Sequence, residues 1–230
     1  RAARTKPKYD QPTPARWHTS AHFDLAEGIY DSAYGGWNFR TGERAKAMVT
    51  DVRHVRQVIF LRQVGAWIVT DRLVSEKPHA YTQSWCLGPE FGATEVTVSA
   101  NGRAADTASG SGANVALRWF SPTPVACSKH VGEKTETTAL GWRALGWQEK
   151  EQRYTPAVDL LTEWEGAGNQ LVVALIVPSP DQGGRVVESR DLSRPGQAGF
   201  HARLVDGIQL TYLASAGGAL TADGATAEGQ

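Results

Sequence analysis

The fold is decided by residues 51–87, which read DVRHVRQVIFLRQVGAWIVTDRLVSEKPHAYTQSWCL. The runs 55–63, 67–73 and 80–87 are rich in β-branched and aromatic residues, which favours strands. Gly65 marks the turn between the first two runs. Because connections of about two to five residues are too short for parallel crossovers, the pattern predicts three antiparallel strands in a meander.

Polar residues interrupt these apolar runs. We expect them to lie near strand ends, where they would line one edge of a sheet. They are His54, Arg56, Asp71, Arg72, His79 and Gln83.

The rest of the chain also has the pattern of short strands. Residues 94–100 alternate as TEVTVSA and are followed by Asn101-Gly102, a strong hairpin signal. Residues 158–164 and 170–177 flank Gly-Ala-Gly-Asn, which predicts a second hairpin. Helical periodicity is nearly absent, so the sequence predicts an all-β fold, an antiparallel β-sandwich of many short strands with little helix.

The expected organisation has three parts. Residues 1–15 are interpreted as a mobile linker or N-terminal arm, 16–215 as a single β-sandwich domain, and 216–230 as a flexible tail of small and polar residues. The opening, RAARTKPKYDQPTP, lacks the pattern of a signal peptide, and we interpret it as the start of a fragment or a processed chain.

Composition limits the function classes. The 230 residues include 24 basic and 24 acidic side chains, and this balance argues against a nucleic-acid-binding or membrane-surface protein. No apolar run approaches the roughly 18 residues of a transmembrane helix. The two cysteines, Cys86 and Cys127, fit either a disulfide or two separate thiols.

An aromatic and glycine-rich loop is the main candidate for ligand binding. Tyr30, Tyr34 and Trp37 would place rings where the apolar faces of a sugar can stack, with glycines allowing close approach. The alternative is that these rings fold back as a small core over the sheet.

Basic residues next to this loop suggest an acidic ligand. Arg53 and His54, together with Arg56, would form a basic edge, and an arginine fork suits the carboxylate of a uronic acid. For Arg56 an ion pair with Asp71 or Asp24 inside the sandwich is the stronger alternative.

The even spacing of His18, His22 and Asp24 places them on one side of a strand, where they could form a ligand set for a metal ion. A polar outer face explains the same spacing, and we predict neither a metal site nor another cofactor. A glycoside hydrolase based on Glu163 and Glu165 is disfavoured, because no carboxylate pair stands out.

The order of several short motifs resembles the C-terminal β-sandwich region of heparinase II/III-like polysaccharide lyases. That region has an H-x-R-x-V-x-F strand, a W-I-V-x-D strand and a strand that opens with His, after an aspartate, G-x-Y-D and Y-G segment. The matching residues here are Asp24, Gly28, Tyr30, Asp31, Tyr34 and Gly35, then His54, Arg56, Val58 and Phe60, then Trp67, Ile68, Val69, Asp71 and His79.

The resemblance implies β-elimination at a uronic acid. In such lyases a helical toroid domain precedes the sandwich, a Tyr or His acts as base and acid, and a metal, when present, is held by His and Asp. We expect the family's metal-site signatures to lie before residue 1, so no catalytic or metal residue is assigned to this chain.

Two function hypotheses follow. In the first, the chain is the β-sandwich part of a secreted or periplasmic lyase that acts on an acidic polysaccharide such as heparin, heparan sulfate or alginate. It is then inactive without the toroid domain of the same enzyme. In the second, the chain is a stand-alone carbohydrate-binding or structural β module.

Overall fold

The computed structural model describes residues 15–31, 34, 49–110, 112–134, 139–144, 154–180, 185–216, 219–222 and 225–228. In this part of the chain the regular structure is strand, apart from a single 3₁₀ turn at Ala93–Glu95, and every strand pair is antiparallel. The predicted all-β class is therefore confirmed.

Eighteen strands are present in the described residues. They are β1 Ala15–Thr19, β2 Phe23–Tyr30, β3 Arg53–Leu61, β4 Ala66–Cys86, β5 Val96–Val98, β6 Ala104–Thr107, β7 Asn114–Phe120, β8 Ala126–Val131, β9 Glu133–Lys134, β10 Ala139–Leu140, β11 Trp142–Ala144, β12 Tyr154–Pro156, β13 Val158–Ser179, β14 Val186–Asp191, β15 Gln197–Leu204, β16 Gln209–Ser215, β17 Ala219–Ala222 and β18 Ala225–Glu228.

The main sheet has nine strands in the order β1-β2-β3-β4-β13-β7-β6-β5, with β8 paired to β13 beside this path. A second sheet of three strands has the order β14-β15-β16. The predicted turns at Gly65 and Asn101-Gly102 are present, and both glycines have a positive φ, 66° and 65°.

The predicted meander is wrong at one point, because two runs that were expected to be separate strands form one. Residues 67–73 and 80–86 belong to β4, which continues for 21 residues, and Leu87 lies just beyond its end. Residues 158–164 and 170–177 likewise form the single 22-residue strand β13. The segments that were interpreted as turns are irregular points in two strands that run side by side.

The two irregular points face each other. Pairing of β13 with β4 shifts register between Gly166 and Gly168, where Gly166 pairs with His79 and Gly168 with Ser75. Pro78 lies between those two partners and has no amide hydrogen to donate to the ladder. A bulge bends a strand without ending it, and glycine accepts the conformation, since φ of Gly168 is +71°.

Beyond this bend the two long strands take new neighbours. The first half of β13 pairs with β8, whereas its second half pairs with β7. Side chains from both halves share one core, which includes Leu160 and Trp164 from one half and Val172 from the other. The main sheet therefore curves around this core.

The other face of the main sheet is covered by the three-stranded sheet. Leu171, Val173 and Leu175 pack there with Phe200, which is fully buried and stacks on Phe120 at 4.8 Å. The fold is a sandwich of a curved sheet and a smaller one. The two cysteines do not form a disulfide: Cys86 is an exposed thiol and Cys127 a buried one.

Candidate functional site

Strands β3 and β4 bring a polar group onto the curved side of the main sheet. Arg56 lies directly opposite Asp71, and His54 lies opposite Leu73. Since alternate residues of a strand point to the same face, His54 and Arg56 share the face on which Asp71 lies. These residues are on adjoining inner strands and not at a sheet edge, so the expectation of a polar edge is wrong.

Asp71 is the centre of this group. Arg56 donates from Nε to Oδ1 and from Nη2 to Oδ2, both at 2.6 Å, and Nε2 of His54 lies 2.8 Å from Oδ1. Asp71 is 2% exposed. Burial acts to raise its pKa, but the hydrogen bonds and charge of Arg56 and His54 outweigh burial and hold the pKa of Asp71 well below its usual range. Asp71 is therefore a buried carboxylate anion.

The ionised carboxylate sets the tautomer of His54. A carboxylate only accepts, so the Nε2 of His54 must donate its hydrogen to Asp71. In the neutral imidazole this leaves Nδ1 as an acceptor, and the hydroxyl of Tyr34 lies 3.0 Å from it. The three side chains form a hydrogen-bonded series, Tyr34 to His54 to Asp71, hereafter the Tyr-His-Asp chain.

A layer of amide and indole groups holds the carboxylate in place. Gln83 donates to Oδ2 of Asp71 at 2.7 Å. The amide oxygen of Gln83 accepts hydrogen bonds from the indoles of Trp85 at 2.8 Å and Trp119 at 3.0 Å. Both oxygens of Asp71 therefore have two donors each, and the orientation of Gln83 is fixed by the two tryptophans.

A second histidine lies near the Tyr-His-Asp chain. His79 Nε2 is 3.1 Å from Oδ2 of Asp51, which also accepts a hydrogen bond from the hydroxyl of Ser75 at 2.9 Å. His79 and Ser75 together lower the pKa of Asp51. The ring of His79 meets Tyr81 edge to face at 6.1 Å.

These groups line a cleft of about 390 Å³. Tyr81 and Trp164 form one wall and stack with ring centroids 5.6 Å apart. The hydroxyl of Tyr81 and the indole nitrogen of Trp164 are buried and have no hydrogen-bond partner within the described ranges. The cleft combines aromatic surface with a few fixed polar groups, as small-molecule sites do.

The structure separates the sequence-predicted binding residues. Tyr34 and His54 come together in the cleft, and Tyr30 packs edge to face against Tyr34 with ring centroids 5.0 Å apart. Tyr34 is half-buried and packs on the main core, so it has features of both predicted roles. Arg53 lies on the opposite face of β3, and Trp37 lies outside the described residues.

The Arg56 alternative is confirmed, because Arg56 pairs with Asp71. Two of the three residues that were considered as metal ligands have other partners. Asp24 pairs with Arg62, and the ring of His18 packs against Phe23. Across the residues that the structure covers, no group of three or more His, Cys, Asp or Glu side chains is arranged to hold a metal ion. The sequence pattern placed Asp71 and Gln83 at an edge of the sheet and did not predict their position in the cleft.

Comparison with known proteins identifies the fold. No known family model and no curated protein matches the sequence. Solved structures do match, among them structures of heparinase III and of a heparan sulfate lyase. The predicted resemblance to heparinase II/III-like lyases is therefore confirmed at the level of the fold.

The matching structures are much longer than this chain. A crystal structure of heparinase III has a TM-score of 0.60 and 14% identity, covering 88% of this chain and 27% of its own. A second heparinase III matches with the same score and coverage at 10% identity. Heparan sulfate lyase HepC from Pedobacter heparinus has a TM-score of 0.59 and 14% identity, and the match covers 87% of this chain and 27% of the HepC chain.

In the described ranges, no helix is long and apolar enough to cross a membrane.

Proposed function

We propose that this chain is the β-sandwich part of a lyase that cleaves a uronic-acid polysaccharide by β-elimination. The observation that supports the proposal is the Tyr-His-Asp chain in an open cleft, on a fold shared with part of heparinase III. Heparin, heparan sulfate, alginate and related uronate polymers are the substrate class. The remaining groups come from a helical toroid domain of the same enzyme, which is secreted or periplasmic.

The cleft contains what proton transfer requires. The elimination removes the proton at C5 of the uronate and gives a proton to the departing O4. Nδ1 of His54 accepts from the hydroxyl of Tyr34, so Tyr34 can pass its proton to His54 and take the C5 proton as tyrosinate. Tyr34 then gives that proton to the departing O4 and recovers its own from His54, which restores both groups. Asp71 orients the imidazole and stabilises its charged form, as the carboxylate does in a Ser-His-Asp triad.

Among the described residues that line the cleft, no cation is available to neutralise the uronate carboxylate. The fork of Arg56 is bound to both oxygens of Asp71, and His79 is paired with Asp51. Elimination at C5 needs that carboxylate neutralised, because the charge opposes formation of a carbanion next to it. The toroid domain would supply this group, and we therefore expect the isolated chain to be inactive.

Absorbance of unsaturated uronate tests the proposal. The 230-residue chain alone is expected to release no such product from heparin, heparan sulfate or alginate, whereas the complete enzyme cleaves at least one of them. Turnover by the pure chain would contradict the assignment of the missing group to another domain.

A matched pair of histidine variants tests the role of the cleft in the complete enzyme. His54→Gln is expected to lower kcat by at least about a hundredfold, since it removes the proton acceptor. His201→Gln is the control: His201 also contacts a hydroxyl, that of Thr211 at 3.0 Å, but lies in the three-stranded sheet. Equal activity of the two variants would contradict the proposal.

A further inference from the structure

A second cleft lies on the opposite face of the same strands. Its volume is about 270 Å³, and β1, β2, β3, β4 and β16 contribute to its walls. Arg53 reaches this face because it neighbours His54 in β3 and adjacent side chains of a strand point to opposite sides. The basic and polar residues that line it include Arg16, Arg53, Gln57, Thr70, Arg72 and Tyr212.

Positive charge in this cleft is only partly balanced. Arg16 is paired with Glu27, through bonds of 2.7 and 3.0 Å, and Gln57 donates to the same carboxylate. Arg53 has no hydrogen bond or ion pair with any residue that the structure describes. Arg72 has a single long contact of 3.5 Å, to the carbonyl oxygen of Ala216. In the described part of the chain, no carboxylate is hydrogen-bonded to Arg53 or Arg72. Glu27 lines the same cleft and interacts with the charge of Arg72, but it is bonded to Arg16 and Gln57.

The register of the strands places no carboxylate opposite either arginine. Arg53 lies opposite Val74, and Arg72 lies opposite Val55. The two arginines are diagonal neighbours on one face, at a spacing that long side chains can bridge. Their charges repel unless an anion lies between them.

We infer that this cleft binds the carboxylate or sulfate group of an acidic sugar, with Arg53 and Arg72 as its ligands. Guanidinium forks bind planar carboxylates and sulfate-like anions through paired, charge-assisted hydrogen bonds. The remaining wall carries hydroxyl and amide groups, of Thr70, Gln57 and Ser215, beside the ring of Tyr212. This lining suits a sugar ring better than a free inorganic ion.

The inference is separate from the proposed function. The first cleft and this one lie on opposite faces of β3 and β4, so a short oligosaccharide cannot fill both. None of the described residues that line the second site is a histidine, and we assign it a binding role. Its existence does not require that the first cleft takes part in catalysis.

The test is titration of the 230-residue chain with three probes at fixed ionic strength: sodium sulfate, a heparin-derived tetrasaccharide and an alginate-derived tetrasaccharide. Calorimetry gives the affinity, and NMR of the arginine Nε–Hε groups gives the location. We expect a tetrasaccharide to shift the resonances of Arg53 and Arg72. The double variant Arg53→Gln/Arg72→Gln should bind it about tenfold more weakly.

The matched control removes the same charge elsewhere. Arg190→Gln/Arg203→Gln changes two exposed arginines of the three-stranded sheet that do not line the cleft, and it should bind within about twofold of the unchanged chain. Unmoved Arg53 and Arg72 resonances, or equal weakening by both double variants, would overturn the inference. Sulfate affinity as high as that of the tetrasaccharides would overturn the sugar assignment. Shifts at Arg53 and Arg72 without shifts at His54 would support this second site and contradict sugar binding in the first cleft.

Discussion

The two faces of β3 and β4 use arginine in opposite ways. On the curved face, Arg56 lies opposite Asp71 and makes two bonds of 2.6 Å to a buried carboxylate. On the other face, Arg53 and Arg72 lie opposite valines and have almost no bonding. The residue opposite each arginine on the neighbouring strand therefore determines its role. An arginine opposite an aspartate is held in an ion pair, whereas an arginine opposite a valine remains available to bind a ligand.

The contrast extends to the consequences for stability. A buried ion pair is stabilising only while both of its charged side chains are present. Removing one of them leaves the other charge unpaired in the low-dielectric interior of the protein. An unpaired surface charge can be removed at little cost. Substitutions on the two faces should therefore differ strongly in their effect on the free energy of unfolding.

The largest effect is expected for Asp71→Asn. It removes the anion that binds Arg56 and His54, and the loss should be about 3 kcal/mol, the low end for a broken buried pair, because the Arg56 side chain is 40% exposed and can reach water. The control is Asp106→Asn, which breaks the ion pair with Arg118 where the carboxylate is 44% exposed, and it should cost less than about 1 kcal/mol. Urea unfolding measures both, and equal losses would contradict the contrast.

The pH dependence of stability should differ between the unchanged chain and Asp71→Asn. The folded pKa of Asp71 lies below its unfolded value of about 3.9, so its contribution to stability is full above that value and is lost as the pH falls toward the folded pKa. Between about pH 5 and pH 2 the unchanged chain should lose more stability than Asp71→Asn. Parallel curves of the free energy of unfolding against pH would show that Asp71 is not the carboxylate responsible.

Tyr34 should show an intermediate effect, because it is both a packing and a cleft residue. Tyr34→Ala should cost about 1 to 2 kcal/mol, less than the loss of a fully buried aromatic ring, since the side chain is only half-buried. Tyr34→Phe keeps the ring but removes the donor to Nδ1 of His54, and it should cost about 1 kcal/mol. A loss above about 3 kcal/mol for Tyr34→Ala would favour the small-core interpretation over the ligand cleft.

The smallest effect is expected for Arg53→Gln. The substitution removes one of two like charges and breaks no described hydrogen bond, so the change in the free energy of unfolding should be within about 0.5 kcal/mol, and stabilising if anything. Thermal unfolding at low salt is the sensitive measurement, because salt screens the repulsion. A clear loss of stability would mean that Arg53 is held by a partner and is not available for a ligand.

Much of the fold could be predicted from residue alternation. The all-β class, the turn at Gly65 and the hairpin at Asn101-Gly102 follow from local patterns with a direct backbone cause. The continuity of β4 and β13 could not, because glycine and Pro78 favour a turn and a bulge equally. Only the neighbouring strand decides between them, since two irregular points that face each other allow both strands to continue.

The site was predicted only in part, and for two different reasons. Grouping Arg53 with His54 ignored a signal that was present, because consecutive residues of a strand cannot share a face. The position of Asp71 and Gln83 in the cleft depends on strand register and on the curvature of β4, which a single sequence does not specify. Tyr34 and His54 are 20 residues apart, and their contact likewise follows from the tertiary fold.

The central claim is that the Tyr-His-Asp chain transfers protons in β-elimination. The most direct measurement is kcat of the complete enzyme with Tyr34→Phe, which removes one hydroxyl and keeps the ring. Its control is Tyr154→Phe, at a tyrosine that is 53% exposed in β12. We predict that Tyr34→Phe loses at least about a hundredfold in kcat with only a small fall in melting temperature, while Tyr154→Phe keeps full activity. Full activity of Tyr34→Phe would contradict the claim.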